Sequence, residues 1–205
     1  MDATLARAWV SAVAASVASQ AELLTQLDAA IGDSDHGVNL NRGFTAVLAA
    51  LNGASLETPG EVLARTGTTL VSKVGGASGP LYGSAFRALG KALGSSSTVD
   101  AAAFGAGLRA GLDAVRKLGG AAPGDKTMVD AYEPAVVAFE KSAGDGFAAA
   151  ARAAAGAAAE GMRATTGLQA RKGRASYLGE RSVGHQDPGA TSTWLVFEAL
   201  ASVAA

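Results

Sequence analysis

The chain has 205 residues, of which 49% are hydrophobic and 17% are charged, and its formal net charge is −1. This length suits one domain with a substantial core, and the small net charge argues against nucleic acids and membrane surfaces as partners bound by bulk electrostatics. Cysteine is missing, which excludes disulfides, and no signal peptide or membrane-length apolar run is present, so we predict a single cytoplasmic domain over residues 1–205.

Apolar residues recur every three or four positions through most of the chain, as expected of amphipathic α-helices. The first predicted helix runs from about Leu5 to Ala30 and delivers Asp28 at its C-terminal end. The second ends at Asn52-Gly53, and the third begins at Thr58-Pro59, where a capping side chain precedes a proline at the first helical position. No alternating β pattern is present, so the sequence predicts an all-α protein.

The connection after the first helix is unusually polar and reads LDAAIGDSDHGVNLNRG over residues 27–43. Its segment 28–36, here called the acidic turn, holds the carboxylates Asp28, Asp33 and Asp35. Such carboxylates repel one another unless a cation lies between them, and oxygen ligands favour Mg²⁺ or Ca²⁺. An EF-hand fits poorly, because Gly37 occupies the fifth loop position. The short Asp-x-Asp motif alone is equally compatible with a solvated turn, whereas the longer pattern favours a metal site.

Residues 75–83, GGASGPLYG, are here called the glycine-rich turn, and a fourth helix is predicted to begin near Pro80. Four glycines and a proline are too many for the middle of a helix. Free amide N–H groups just before a helix N-terminus favour an anion such as phosphate. The segment is neither a P-loop nor a dinucleotide fingerprint, so a plain connection between helices is the alternative.

A fifth helix closes at Gly119-Gly120, a sixth begins near Asp125 and is kinked at Pro134, and an alanine-rich seventh spans residues 147–166. Residues 167–189, here called the basic loop, combine lysine, arginine and glycine without a sustained period. A solvated surface loop is one interpretation, but long loops of this kind in compact domains are more often functional. The last helix is predicted from about Ala190 to Val203.

Eight helices joined by short connections favour antiparallel neighbours. In that arrangement the connections after the first, third, fifth and seventh helices lie at the same end. The acidic turn, the glycine-rich turn, the segment around PGDK and the basic loop therefore meet there. These are the parts that phosphoryl transfer needs, namely carboxylates for a metal, amides for phosphates and cationic side chains.

Four segments resemble the nucleotide-binding L subunit of dihydroxyacetone kinase and occur in that family's order: IGDSDHGVNLNRG, GGASGPLYG, PGDKTM and ARKGRASYLGERSVGHQDPGATS. The resemblance implies an eight-helix up-and-down barrel with ADP and two Mg²⁺ ions at one mouth. It implies that the metal ligands are Asp28, Asp33 and Asp35. The nucleotide ligands that it implies are His36, Gly37, Val38, Asn39, Ala77, Ser78, Gly119, Met128, Arg174, Asp187, Pro188 and Gly189.

Two of these assignments have alternatives when the residues are considered alone. Met128, implied to line the adenine site, is equally expected as a core side chain. A lone histidine is commonly structural, but the position of His36 inside the acidic turn favours a phosphate contact. His185 lacks such support and stays outside the predicted site.

The resemblance further implies one part of a larger phosphotransferase, inactive alone and with no catalytic residue separate from the Mg–nucleotide site. Dihydroxyacetone would be held by a separate K subunit, and retained ADP or ATP would be rephosphorylated in place by a phosphotransferase-system carrier, as in the phosphoenolpyruvate-dependent type. Three alternatives stay open for the function: free ATP as donor, another small ketose or tetrose as substrate, and a nucleotide-sensing regulator or co-activator of transcription with the same site. A homodimer is also open.

Overall fold

The computed structural model describes residues 1–204, and it contains helices and no strand over that range, which confirms the all-α prediction. The α-helices are α1 (Ala3–Ser19), α2 (Ala21–Ile31), α3 (His36–Leu51), α4 (Pro59–Lys73), α5 (Ser78–Leu93), α6 (Ala101–Gly119), α7 (Val129–Ser142), α8 (Phe147–Ala164) and α9 (Pro188–Val203). Short 3₁₀ segments cover Ala143–Asp145, Thr165–Gly167 and Arg174–Ser182. None of the helices within residues 1–204 has the length and apolar character needed to cross a membrane.

The helices close into a ring. From α2 onwards each helix packs against the next one in the chain, and α9 returns to pack against α1. Both α1 and α2 contact α3 and α9, so they share one position in the ring. Aromatic side chains fill the interior, where the Trp9 ring lies 5.5 Å from that of Phe86 and 5.7 Å from that of Phe104. Trp9 also donates to the carbonyl oxygen of Val196 at 2.9 Å, which fastens α1 to α9.

The prediction of one helix from Leu5 to Ala30 is wrong, because the chain leaves helical geometry at Gln20, with ψ at 9°. The described residues therefore form nine α-helices rather than eight. The buried stripe continues across the break, from Val17 at the end of α1 to Leu24 in α2. Because this spacing matches an uninterrupted helix, the apolar pattern carries no signal of the break.

The start of α4 agrees with the sequence analysis. The Thr58 hydroxyl accepts the backbone N–H of Glu61 at 3.2 Å, and the Glu61 carboxylate accepts that of Thr58 at 3.1 Å. This reciprocal capping box satisfies two N–H groups that have no partner within the helix.

The next helix differs from its prediction. α5 begins at Ser78 rather than near Pro80, and it contains Gly83, as a helix starting within the glycine-rich turn requires. A Cβ atom at Gly83 would lie 2.4 Å from Cγ2 of Val71 in α4. Glycine is needed here for close packing between the two helices, and this contact overrides its low helix propensity.

Two further boundaries are shifted. α7 begins at Val129 rather than near Asp125, because the preceding residues form a turn around Asp130. The Asp130 carboxylate accepts the N–H groups of Gly124 at 2.5 Å and Thr127 at 2.7 Å. α9 begins at Pro188 rather than near Ala190, since the side chain of the preceding Asp187 caps it.

Candidate functional site

A cavity of about 290 Å³ lies where the α2–α3, α4–α5, α6–α7 and α8–α9 connections meet. The acidic turn, the glycine-rich turn, residues of segment 119–129 and the basic loop all line it. The placement inferred from alternating helix direction is therefore confirmed. Leu81, Val115 and Met128 add apolar surface to a wall that also carries acids, glycines and cationic side chains.

The three carboxylates of the acidic turn converge. Asp28, Asp33 and Asp35 each offer an oxygen, and these oxygens lie within 4.8 Å of one another. Asp28 is 8% exposed and accepts the backbone N–H groups of Asp35 at 2.9 Å and His36 at 3.2 Å. Both amides belong to the N-terminal end of α3, where the helix dipole favours negative charge. This placement offsets the unfavourable position of Asp28 at the C-terminal end of α2.

Two backbone features bring the acids together. Ser34 lies in the left-handed region with φ at 63°, so the chain reverses between Asp33 and Asp35. At Gly37 a Cβ atom would lie 1.9 Å from the carbonyl oxygen of Ala21, so only glycine permits this approach of α3 to α2.

This set of donors fits a hard divalent cation. Mg²⁺ and Ca²⁺ prefer carboxylate oxygens, and three carboxylates held this close repel one another without a compensating charge. Within residues 1–204, Arg174 is the basic side chain that forms an ion pair with them, its Nε lying 2.8 Å from Oδ2 of Asp33. One guanidinium leaves two negative charges uncompensated, and a dication would balance them.

His36 links the acidic turn to two other helices. Its Nε2 lies 2.9 Å from Oγ of Ser192 in α9, and that oxygen lies 2.7 Å from Oη of Tyr82 in α5. Burial lowers the pKa of His36, although the nearby carboxylates of Asp28 and Asp35 act to raise it. Burial also raises the pKa of Tyr82 to about 12, so the phenol stays protonated. Neutral side chains thus connect α3, α5 and α9 beside the cavity.

The glycine-rich turn presents a helix N-terminus to the cavity. Ala77 precedes α5 and, within the described part of the chain, no side chain caps this end. Ala77 and Ser78 both line the cavity. Uncapped amide N–H groups at the positive end of a helix dipole are suited to bind phosphate oxygens.

The basic loop contacts the acidic turn at the cavity. One of its arginines, Arg174, pairs with Asp33, and its small residues Ala170 and Ala175 pack against Ile31 at the end of α2. Lys172, Gly173 and Arg174 all line the cavity. The loop therefore contributes cationic groups to the cavity wall next to the acids.

The DAK2 domain profile matches residues 30–202, which is most of the chain. The chain belongs to the DAK2 domain family. It is 42% identical over 198 residues to the ADP-binding subunit of the PEP-dependent dihydroxyacetone kinase of Escherichia coli, covering 96% of this chain and 94% of that relative. It is also 43% identical over 192 residues to the D-erythrulose kinase of Mycolicibacterium smegmatis, covering 92% of this chain and 33% of that protein.

This DAK2 domain also resembles a solved structure, that of the dihydroxyacetone kinase from C. freundii in complex with AMP-PNP and Mg²⁺. The TM-score is 0.74 with 28% sequence identity, and the match covers 97% of this chain. The DAK2 domain spans about a third of that structure's chain, 34%.

Most of the residues predicted for the nucleotide and metal line the cavity of the DAK2 domain. They are Asp28, Asp33, Asp35, His36, Ala77, Ser78, Gly119, Met128, Arg174, Asp187, Pro188 and Gly189. Gly37, Val38 and Asn39 are not among the lining residues. Gly37 and Asn39 are buried in α3, and Val38 is 58% exposed. The Asn39 side chain accepts a hydrogen bond from Arg42 at 2.8 Å, so it is engaged within its own helix.

The sequence analysis missed Lys126, which lines the cavity and is 1% exposed. It lies in the PGDKTM segment, so the resemblance marked its neighbourhood but gave it no role. The contact of Ser192 with His36 and that of Tyr82 with Ser192 were also missed, because these residues lie far apart in the chain and the motifs that contain them gave them no role.

Asp187 is a buried acid at the start of α9. Its carboxylate accepts the backbone N–H of Ala190 at 2.6 Å. Burial raises the pKa of Asp187 to about 7, with Asp130 also raising it and the nearby Lys126 lowering it. A pKa above the unfolded value means that ionising this carboxylate disfavours the folded state, and this penalty grows as the pH rises from about 4 to about 7.

We therefore expect Asp187→Asn to stabilise the nucleotide-free DAK2 domain at pH 8. The gain in the free energy of unfolding is at most about 4 kcal/mol, which corresponds to the rise of the Asp187 pKa from 3.8 to about 7. The gain is smaller than this limit because the substitution also removes a counter-charge from Lys126. Asparagine is an equally good N-cap, so the helix start is kept. Urea unfolding at pH 8 and at pH 4 measures the effect, and a gain of equal size at both pH values would contradict ionisation as its cause.

Proposed function

We propose that this DAK2 domain is the ADP-binding subunit of a dihydroxyacetone kinase, a phosphotransferase that acts together with separate partner subunits in the cytoplasm. The observation that carries the proposal is the convergence of three carboxylates, an uncapped helix N-terminus and a basic loop on one cavity. The 42% identity to the ADP-binding subunit from Escherichia coli supports the same function. On this proposal residues 1–205 form one nucleotide-binding domain.

The acids of the acidic turn hold Mg²⁺ in this proposal, as two ions shared among Asp28, Asp33 and Asp35. Bound Mg²⁺ supplies neutralising charge for phosphate oxygens. The N-terminus of α5 donates backbone hydrogen bonds at Ser78, and Arg174 donates from the basic loop. Support for nucleotide and metal binding comes from the similar C. freundii structure, which holds AMP-PNP and Mg²⁺.

The apolar part of the wall suits the base. Leu81, Val115 and Met128 line the cavity beside Gly119 at the end of α6. A flat heterocycle packs well against aliphatic and thioether side chains. On this proposal the base lies against these apolar side chains, and the phosphates lie towards the acidic turn.

The remaining parts of the reaction belong to partners in this proposal. A K subunit presents dihydroxyacetone. A phosphotransferase-system carrier protein rephosphorylates the nucleotide, and the nucleotide stays bound to this chain throughout. The Escherichia coli relative belongs to a PEP-dependent dihydroxyacetone kinase, which supports this arrangement. A kinase for a four-carbon ketose is the second candidate, because the D-erythrulose kinase is 43% identical to this chain.

The purified chain alone is expected neither to phosphorylate dihydroxyacetone nor to hydrolyse ATP rapidly. Activity should appear when a K subunit is added with the phosphorylated carrier as donor. The same assay with free ATP, and with D-erythrulose in place of dihydroxyacetone, separates the two candidates. Rapid turnover by the isolated chain would contradict the division of the enzyme into subunits.

A further inference from the structure

Both ends of the basic loop are held by one dipeptide, Asp125-Lys126. The carbonyl oxygen of Asp125 accepts the backbone N–H of Arg171 at 3.0 Å. The Lys126 ammonium donates to the carbonyl oxygen of Thr165 at 2.6 Å, just before the loop, and to that of His185, near its end. Positions 165 and 185 are thus joined through a side chain that belongs to neither segment.

Lys126 is unusual in two respects. It is 1% exposed, and its φ is 60°, in the region that residues with a side chain seldom adopt. Both features are unfavourable, so surrounding interactions must maintain them. The two carbonyl acceptors, together with the nearby carboxylates of Asp187 and Asp130, supply these interactions.

The geometry points to Lys126 as a positioning residue for the nucleotide, an inference that rests on the proposed function. Its ammonium holds the two ends of the basic loop together and so keeps Arg174 and the Asp187-Pro188-Gly189 segment at the wall of the cavity. Two of its three N–H donors are used by main-chain carbonyls, so Lys126 acts through the loop rather than chiefly through direct contact with a ligand.

The start of α9 depends on the same contact. His185 precedes Asp187 by two residues, and the Asp187 N–H donates to Oγ1 of Thr165 at 3.0 Å. The carbonyl oxygen of Thr165 therefore accepts a hydrogen bond from the Lys126 ammonium, and its hydroxyl oxygen accepts one from the Asp187 N–H. The Lys126 charge also opposes the rise in the pKa of Asp187 that burial produces. The groups around Asp187 are Lys126, Asp130, the Tyr82 phenol and the His36 ring at Pro188.

The test uses Lys126→Met, which removes the ammonium while keeping most of the side-chain volume. Amide hydrogen exchange in residues 168–187 of the nucleotide-free protein should accelerate about tenfold or more, while exchange in α4 and α5 stays unchanged. The release rate of Mg–ADP should rise about tenfold, with the capture rate within about threefold of the wild type. Without its cationic neighbour, Asp187 has a higher pKa. The pH dependence of Mg–ADP release should therefore shift to higher pH in the variant than in the wild type.

Two control variants separate this role from general destabilisation. Lys141→Met makes the same chemical change at an exposed position of α7 and should alter neither rate. Leu63→Ala lowers the melting temperature by removing a fully buried side chain from α4 and should leave local exchange in the basic loop unchanged. Faster loop exchange in Leu63→Ala, equal to that in Lys126→Met, would overturn the inference.

A second variant covers the case in which Lys126→Met does not fold. Lys126→Gly relieves the strain at positive φ and still lacks the ammonium, so it should accelerate loop exchange and Mg–ADP release as Lys126→Met does. Wild-type rates of loop exchange and of Mg–ADP release would overturn the inference. Slower capture of Mg–ADP with unchanged loop exchange would also overturn it, because that result indicates direct contact between Lys126 and the nucleotide. A wild-type chain that binds no Mg–ADP would refute the proposed function instead, and the exchange comparison would still decide whether Lys126 holds the loop.

Discussion

Replacing Asp33 and Asp35 together by asparagine is expected to weaken Mg²⁺-dependent ADP binding by about 100-fold or more, equivalent to roughly 2.7 kcal/mol. The two substitutions remove two of the three charges that converge within 4.8 Å, and asparagine is a weaker ligand for a hard cation. Asp28 alone then faces the dication and the nucleotide phosphates. Because the carboxylates repel one another in the nucleotide-free protein, the double variant should keep or raise its melting temperature without ligand.

Isothermal titration with ADP at fixed Mg²⁺ measures the affinity, and thermal unfolding with and without Mg–ADP gives an independent readout. For the wild type, a ligand at 100 times its dissociation constant adds about 2.7 kcal/mol to the free energy of unfolding. Asp145→Asn is a suitable control, since this exposed acid lies between α7 and α8, at the end of the ring away from the cavity. Undiminished Mg–ADP affinity in the double variant would remove the acidic turn from the metal site.

Substitution of Arg174 by alanine is expected to speed Mg–ADP release about 10- to 100-fold and to change the capture rate by no more than about threefold. The guanidinium has a fixed fork of N–H donors suited to an oxygen-rich anion, which lysine lacks, so Arg174→Lys should recover only part of the slow release. The Nε atom of Arg174 lies 2.8 Å from Oδ2 of Asp33. A cation bound at Asp33 would compete with the guanidinium for this carboxylate and leave Arg174 available to the nucleotide, so we expect metal and nucleotide to favour each other's binding.

Stopped-flow displacement of a fluorescent ADP analogue measures the release rate, with Tyr177→Ala as the control on the same loop. Tyr177 is 88% exposed and does not line the cavity, so its removal should leave release unchanged. Mg–ADP should also protect the peptide bonds between Arg171 and Gly189 from proteolysis in the wild type. Equal cleavage with and without Mg–ADP, or unchanged release from Arg174→Ala, would leave the basic loop as solvated surface or as a contact face for a partner.

The sequence by itself determined the features that depend on local spacing. The helical repeat, the capping box at Thr58 and the run of carboxylates from Asp28 to Asp35 are all local, because each depends on residues within one or two turns of one another. Helix direction follows from short connections, so the meeting of four connections at one end was predictable without any knowledge of packing. The resemblance named fifteen individual residues, and twelve of them, including Arg174, line the cavity.

Only the tertiary structure decided features that arise from contacts between distant segments. The break at Gln20 leaves the buried stripe in phase, and Gly37 is required by the approach of α3 to α2. A lysine in a loop is expected to be solvated, yet Lys126 is buried because carbonyl groups from two remote segments surround its ammonium. The pKa of Asp187 likewise depends on burial and on Asp130 and Lys126. The electrostatic environment of a buried group is set by the atoms packed around it, and most of those come from elsewhere in the chain.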